Sequence, residues 1–166
     1  MGTILNQSLA DELVKMSEVD QAMRIKAIED DTVFDSSVDE VNSKRLQEIV
    51  ETSGWPTIPQ VGIEGSNAAW LVLQHAPSLD FMKHCLGLMK AFPKGIANQA
   101  NIAYLEDRVL MIDGKPQIYG TQFKGRGKDL KVWSIQDPEH IDELRASVGL
   151  GTFAENEARI LELYGK

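Results

Sequence analysis

The run Ala68-Ala69-Trp70-Leu71-Val72-Leu73, six apolar residues in a row, constrains the fold of this chain more than any other stretch. A helix over it has no polar face, so protein must surround it on every side. Gln74 and His75 then arrive in its last turn, just before Ala76 and the terminating Pro77. An imidazole and an amide delivered into an interior need partners, because an unpaired buried polar group costs ~1–3 kcal/mol. The run therefore predicts an internal polar pocket and nominates His75 as its centre.

The chain of 166 residues is read as a single domain, 1–166, long enough to bury about two thirds of its unfolded surface. Its net charge of −8 speaks against a nucleic-acid backbone or an anionic membrane as partner. Lys124-Gly125-Arg126-Gly127-Lys128 is the one local basic run; it reads as a solvated loop, with phosphate contact as the sharper alternative. A single cysteine, Cys85, leaves no intramolecular disulfide and no multi-cysteine zinc site, and fits a reducing compartment. The start Met1-Gly2-Thr3-Ile4-Leu5-Asn6 has neither a basic, apolar leader nor the Ser or Thr that myristoylation wants at position 6. No apolar run reaches membrane-spanning length. The expectation is a soluble cytoplasmic protein.

Taken in order, Ser8 is the expected cap of a first helix whose seam is Leu9, Leu13, Met16, Met23 and Ala27. Asp20 interrupts that seam, with Gln21 beside it and Arg24 one turn on. Asp20 and Arg24 either pair on a half-exposed face, worth ~0.3–0.5 kcal/mol, or look inward at the pocket of His75. After an acidic break at Glu29-Asp30-Asp31-Thr32, Ser37-Val38-Asp39-Glu40 has a capping-box pattern, and Val41, Leu46, Ile49 and Val50 supply the buried side of a second helix. Gly54 ends it, Trp55-Pro56 forms an extended exit, and Thr57 to Gly65 reads as irregular. Ser66 is the expected cap of the apolar helix, and Ser78 that of the next, with Phe81, Cys85, Leu88, Met89 and Phe92 as its stripe. His84, off that stripe, reads as a surface residue.

Ala97 to Glu106 suggests a short helix, after which the period changes. Arg108 to Ile112 and Pro116 to Phe123 flank Asp113-Gly114, a hairpin signal, and Lys131 to Ile135 would add a third strand. Asp137-Pro138 opens a helix ending at Gly149, and Thr152 to Glu155 is a capping box for the last one, to about Tyr164. The fold class is α+β: a predominantly helical single domain with a small antiparallel β-hairpin or three-stranded sheet.

Asp20-Gln21-x-x-Arg24, Gly54-Trp55-Pro56, Trp70-Leu71-x-x-Gln74-His75-Ala76, Tyr104-Leu105-x-Asp107-Arg108 and Gln117-x-Tyr119-Gly120-Thr121-Gln122 stand together in one order. So arranged, and followed by Asp137-Pro138 and Arg145-x-x-x-Gly149-Leu150, they resemble a bacterial family of unknown function, domain-of-unknown-function family 6624. The resemblance runs from about Val19 to Leu150 and implies no established activity. One departure stands out: members often carry a glutamine where this chain has Met82.

The candidate catalytic residues are His75, Tyr119 and Asp20. Imidazole is the side chain whose ordinary pKa lies nearest neutrality, which suits general acid/base work. Tyr119 would donate a proton or stabilise an oxyanion, and Asp20 would orient the ring or pair with an arginine. Arg24 or Arg108 would hold a carboxylate or phosphate; Gln74, Gln122 and Trp55 complete the substrate-binding set. Were residues 116–123 a strand, Tyr119 and Gln122 would face opposite sides unless Gly120 introduced a bulge. No cofactor is expected. A metal is disfavoured because His75 and His84 stand nine residues apart across a proline break, without zinc-site spacing. Cys85, in an apolar stripe, is a poor nucleophile. Three readings stay open: an acid/base enzyme (hydrolase, lyase or isomerase) acting on a small anionic substrate, a satisfied internal network that fixes the fold, and a non-catalytic binding module such as a ligand sensor, immunity or biosynthetic accessory protein. A small-molecule ligand and a protein partner are both compatible with the chain.

Overall fold

A computed structural model describes residues 5–29 and 33–165. Met1 to Ile4 of the leader reading, and Asp30, Asp31 and Thr32 of the acidic break, lie outside the described residues. The chain divides into two compact units, Met1–Asn98 and Gln99–Lys166.

The first unit is helical: α1 (Gln7–Glu29), α2 (Ser36–Ser53), α3 (Ile58–Leu73) and α4 (Leu79–Ala91). Its core includes Leu13 and Met23 of α1, Leu46, Ile49 and Val50 of α2, Ala68, Ala69, Val72 and Leu73 of α3, and Phe81, Cys85 and Met89 of α4. Four of the six residues of the apolar run are buried as expected, but Trp70 and Leu71 are only half-buried, so protein does not surround it on every side. The α1–α3 pair is the most intimate in this unit, and Gly65 lets it be so. A methyl group there would lie 3.3 Å from the Ala10 Cα, tighter than backbones tolerate without shifting.

Several helix starts differ from expectation. Asn6, not Ser8, caps α1 by accepting from the Leu9 N–H at 3.0 Å. Asp35 caps α2 through the Ser37 N–H, so the helix starts ahead of the Ser37 box, and Val41, out of phase with Leu46, Ile49 and Val50, is 67% exposed rather than buried. Residues 57–65 are not irregular. The Gln60 side chain accepts from both the backbone N–H and the hydroxyl of Thr57, α3 begins at Ile58, and only Gly62 breaks the helical angles. Ser66 therefore lies inside the helix, buried, rather than at its cap. Ser78 does cap α4, accepting from the Phe81 N–H.

In the second unit α5 runs over Gln99–Ile112, β1 over Phe123–Lys124, a 3₁₀ turn over Gly127–Asp129, β2 over Lys131–Val132, α6 over Ile141–Ser147 and α7 over Phe153–Tyr164. The strand expected at Arg108–Ile112 is the end of α5. Ile102, Leu105 and Val109 continue a helical stripe into the core, and that burial outweighs the β preference of Val109 and Ile112, a weak prior. Asp113-Gly114 closes this helix instead of turning a hairpin: the Gly114 N–H donates to the Met111 carbonyl and the Lys115 N–H to that of Leu110. That paired pattern satisfies carbonyls a helix end would otherwise leave bare.

Antiparallel pairing does occur, one segment later, between Phe123 and Val132 and between Lys124 and Lys131. The α+β class stands, with a two-stranded ribbon around the basic run. Residues 116–122 form no strand, and Ile135 only bridges to Gln117. α6 starts at Ile141, after the expected Asp137-Pro138 opening, and Asp137 accepts from the His140 N–H. The Thr152–Glu155 capping box forms as expected.

Candidate active site

Asp20 falls on the core-facing side of α1, one turn before Met23, and is 1% exposed. On α3, the apolar run carries the chain to the C-cap Gln74, and the next turn is tied down by His75 N–H to the Val72 carbonyl and Ala76 N–H to that of Leu73. This turn brings the His75 ring to Asp20: Nδ1 lies 2.9 Å from Oδ1 and 3.1 Å from Oδ2. Gln21 donates to Asp20 Oδ2 at 2.7 Å. Arg24 completes the cluster, with Nε 3.3 Å from each Asp20 oxygen and 3.0 Å from His75 Nδ1, and Nη2 donating to Asp39 at 2.6 Å. Phe34 lies under the guanidinium, 5.7 Å from carbon to ring centroid.

Nδ1 stands between a carboxylate at 2.9 Å and the Arg24 Nε–H at 3.0 Å, and the closer, charged carboxylate favours a proton on it. If Nδ1 were bare it could accept from Arg24, but its lone pair would then face a carboxylate at 2.9 Å, an uncompensated repulsion. With a proton on Nδ1, the imidazole donates to Asp20, and Arg24 Nε–H shares the same carboxylate. The neutral ring then carries its lone pair on Nε2. His75 keeps 16% exposure while Asp20 is sealed. Burial pushes the Asp20 carboxyl upward, but hydrogen bonding and charge from His75, with Gln21 and Arg24, outweigh it and hold the group below its ordinary value.

Asp39 was hidden in the sequence. Its place in the Ser37 capping pattern gave it a local role, whereas the true cap at Asp35 leaves it a turn inside α2, facing Arg24. Asp20, Asp39 and His75 could each offer one atom to a metal, those atoms lying within 4.8 Å of one another. The Arg24 guanidinium already stands among them, so a cation would have to displace it.

The other substrate-binding candidates of this unit are buried. Gln74 is 8% exposed and Trp55 1%, and the Trp55 Nε1–H has no hydrogen-bond partner among the described residues. Cys85 is fully buried, and burial pushes its thiol up to about 12, in keeping with an inert side chain. His84 is exposed on α4.

Tyr119 and Gln122 belong to the second unit, in a loop organised by Asp107. That carboxylate, fully buried on α5, accepts from the N–H groups of Ile118 (2.7 Å), Tyr119 (3.1 Å) and Thr121 (3.0 Å) and from the Thr121 hydroxyl (2.9 Å). Burial pushes its carboxyl above the usual range, and those same donors oppose the rise. The Gln117 amide is spent likewise, donating to the carbonyls of Gln122 and Trp133 and accepting from the Gln122 N–H. Arg145 donates to the carbonyls of Tyr119 and Gly151, and Asn156 to that of Gly120. Gly120 is needed for closeness and conformation, not for a strand bulge: its φ is +65°, and a methyl group there would meet Ile141 and Phe153 at 2.7 Å. The opposite-face problem posed for Tyr119 and Gln122 disappears with the strand. Burial raises the Tyr119 phenol, keeping it protonated. Arg108 is half-buried on α5.

The model of a family of unknown function, DUF6624, matches residues 7–166. The chain belongs to this family. The match takes in every candidate of this DUF6624 chain, from Asp20 and His75 to Asp107 and Tyr119. No curated protein and no solved structure matches it.

Proposed function

We propose that the first unit of this chain carries an acid/base site, with His75 as general base and acid, acting on a small anionic substrate in hydrolysis, elimination or isomerisation. One observation carries the reading: the sealed carboxylate of Asp20 lies 2.9 Å from Nδ1 of a partly exposed imidazole. A carboxylate so placed holds the ring in one tautomer and stabilises the imidazolium formed when Nε2 takes a proton. Arg24 brings positive charge to the same cluster, suited to a carboxylate or phosphate, with Asp39 holding its guanidinium. Gln74 and Trp55, of the same unit, are the candidate substrate contacts. A second reading, a satisfied network that only fixes the fold, draws on the fact that both Asp20 oxygens are already engaged.

The two separate in one experiment. The chain is incubated in deuterated buffer with a panel of small carboxylates and phosphate monoesters, and conversion or proton exchange is followed by NMR. Under the enzyme reading His75→Ala abolishes conversion and leaves the melting temperature within a few degrees. Absence of conversion by the wild-type chain, together with a His75→Ala stability loss of ~1–3 kcal/mol, would establish the network instead.

A further inference from the structure

The basic run left over by the acid/base reading sits at the tip of the β1–β2 ribbon. Lys124, Arg126, Lys128 and Lys131 with Asp129 make a local charge of +3 in a chain whose total is −8. All four cations are exposed. The tip is ordered rather than loose: Asp129 N–H donates to the Arg126 carbonyl and Leu130 N–H to that of Gly127. Gly125, at φ +89°, closes the loop so tightly that a methyl group there would collide with the Asp129 carbonyl. Behind the cations, Lys124 lies 5.7 Å from the centre of the Trp133 ring. The indole is anchored in turn by Nε1–H to the Lys115 carbonyl at 2.8 Å. Lys124, Gly125, Asp129, Lys131, Val132 and Trp133 line a shallow cavity of about 410 Å³ with an apolar floor and a rim of two lysines and one acid.

Lysines on a ribbon edge can serve merely to discourage edge-to-edge pairing. Here they surround a preformed concavity with a fixed aromatic, which edge protection does not require. We infer that this ribbon tip is a docking surface for an acidic protein segment, one presenting Asp and Glu side chains around an apolar residue. Charge complementarity selects the occupant. A short acidic segment can satisfy the local +3, whereas an extended polyanion such as a nucleic acid would also meet the field of the acidic remainder of the chain. Preorganisation of the loop lowers the ordering cost of binding.

The test uses the full ¹⁵N-labelled chain at low ionic strength, titrated with a decaglutamate peptide. Amides of residues 124–133 and the Trp133 indole N–H should shift together, and the shifts should fade with added salt, as exposed charge pairs are screened. The double reversal Lys124→Glu/Lys131→Glu should weaken binding by about tenfold or more, two attractions having become repulsions. A charge-matched control, Lys15→Glu/Lys44→Glu on α1 and α2, should change affinity by less than about twofold. If the control weakens binding as much as the tip reversal, net charge alone is at work and the surface is refuted. Shifts outside the tip, or none, refute it too. Tighter binding of an oligothymidylate than of decaglutamate would reassign the surface to nucleic acid and overturn the proposal as stated.

Discussion

Asp20 and Asp107 are both buried acids on helices, one in each unit, yet their surroundings differ in kind. Asp107 is surrounded by its own unit's backbone: three N–H groups and a hydroxyl consume it, and every donor is part of the loop it shapes. Asp20 is surrounded by side chains, an imidazole, an amide and a guanidinium, all of which stay partly open to solvent. A carboxylate spent on backbone donors specifies a conformation. A carboxylate spent on a titratable ring positions a group that can still exchange a proton. Burial and charge are shared by the two sites; the identity of the donors separates structure from chemistry.

The largest effect expected from breaking this comparison is on the second unit. Asp107→Ala strands three backbone N–H groups and should lower stability in urea unfolding by ~3 kcal/mol or more, since each orphaned donor costs ~1–3 kcal/mol. Asp20→Ala should cost less, ~1–3 kcal/mol, because His75 and Arg24 can turn to solvent. It should also remove any conversion that His75 supports, and a variant that keeps full conversion would break the proposed pairing. Asp39→Asn, which releases one partly exposed ion pair, should shift stability by only ~0.2–1 kcal/mol.

Acid titration sharpens the contrast through its sign. The Asp20 carboxyl is held below its ordinary value when folded, so its stabilisation is complete above the ordinary carboxylate pKa, about 4. It is lost as pH falls through the lowered folded value. Burial raises the Asp107 carboxyl, so its ionisation opposes folding near neutrality, and that opposition is relieved as pH falls through the raised value. Unfolding free energies measured from neutral pH into the acid range should therefore show Asp20→Asn flattening the acid loss and Asp107→Asn steepening it. Equal slopes for the two variants would mean that the two acids are not opposites after all.

Much of the first unit was legible before any coordinates. The apolar run and the polar residues at the end of α3 point one way, because a buried polar group must be met by another, whereas the acid breaking the α1 seam left a half-exposed Asp20–Arg24 pair and an inward role both open. Asp39 was not legible, since a local capping pattern explained it equally well. The second unit was misread at Arg108–Ile112, where β-branched residues next to Asp-Gly satisfy the hairpin rule and the helix-ending rule alike. Only the neighbours of Val109 decide between them.

Sequence by itself determined the fold class, the family and the need for a partner at His75. Those follow from periodicity, ordered motifs and the cost of burying polar groups, all written along the chain. Tertiary structure alone decided that the partner is Asp20, that Asp39 holds Arg24, and that Asp107 organises the loop of Tyr119 and Gln122. Each of these is a meeting of residues far apart in the chain, and hydrogen-bond directions exist only once the helices have packed.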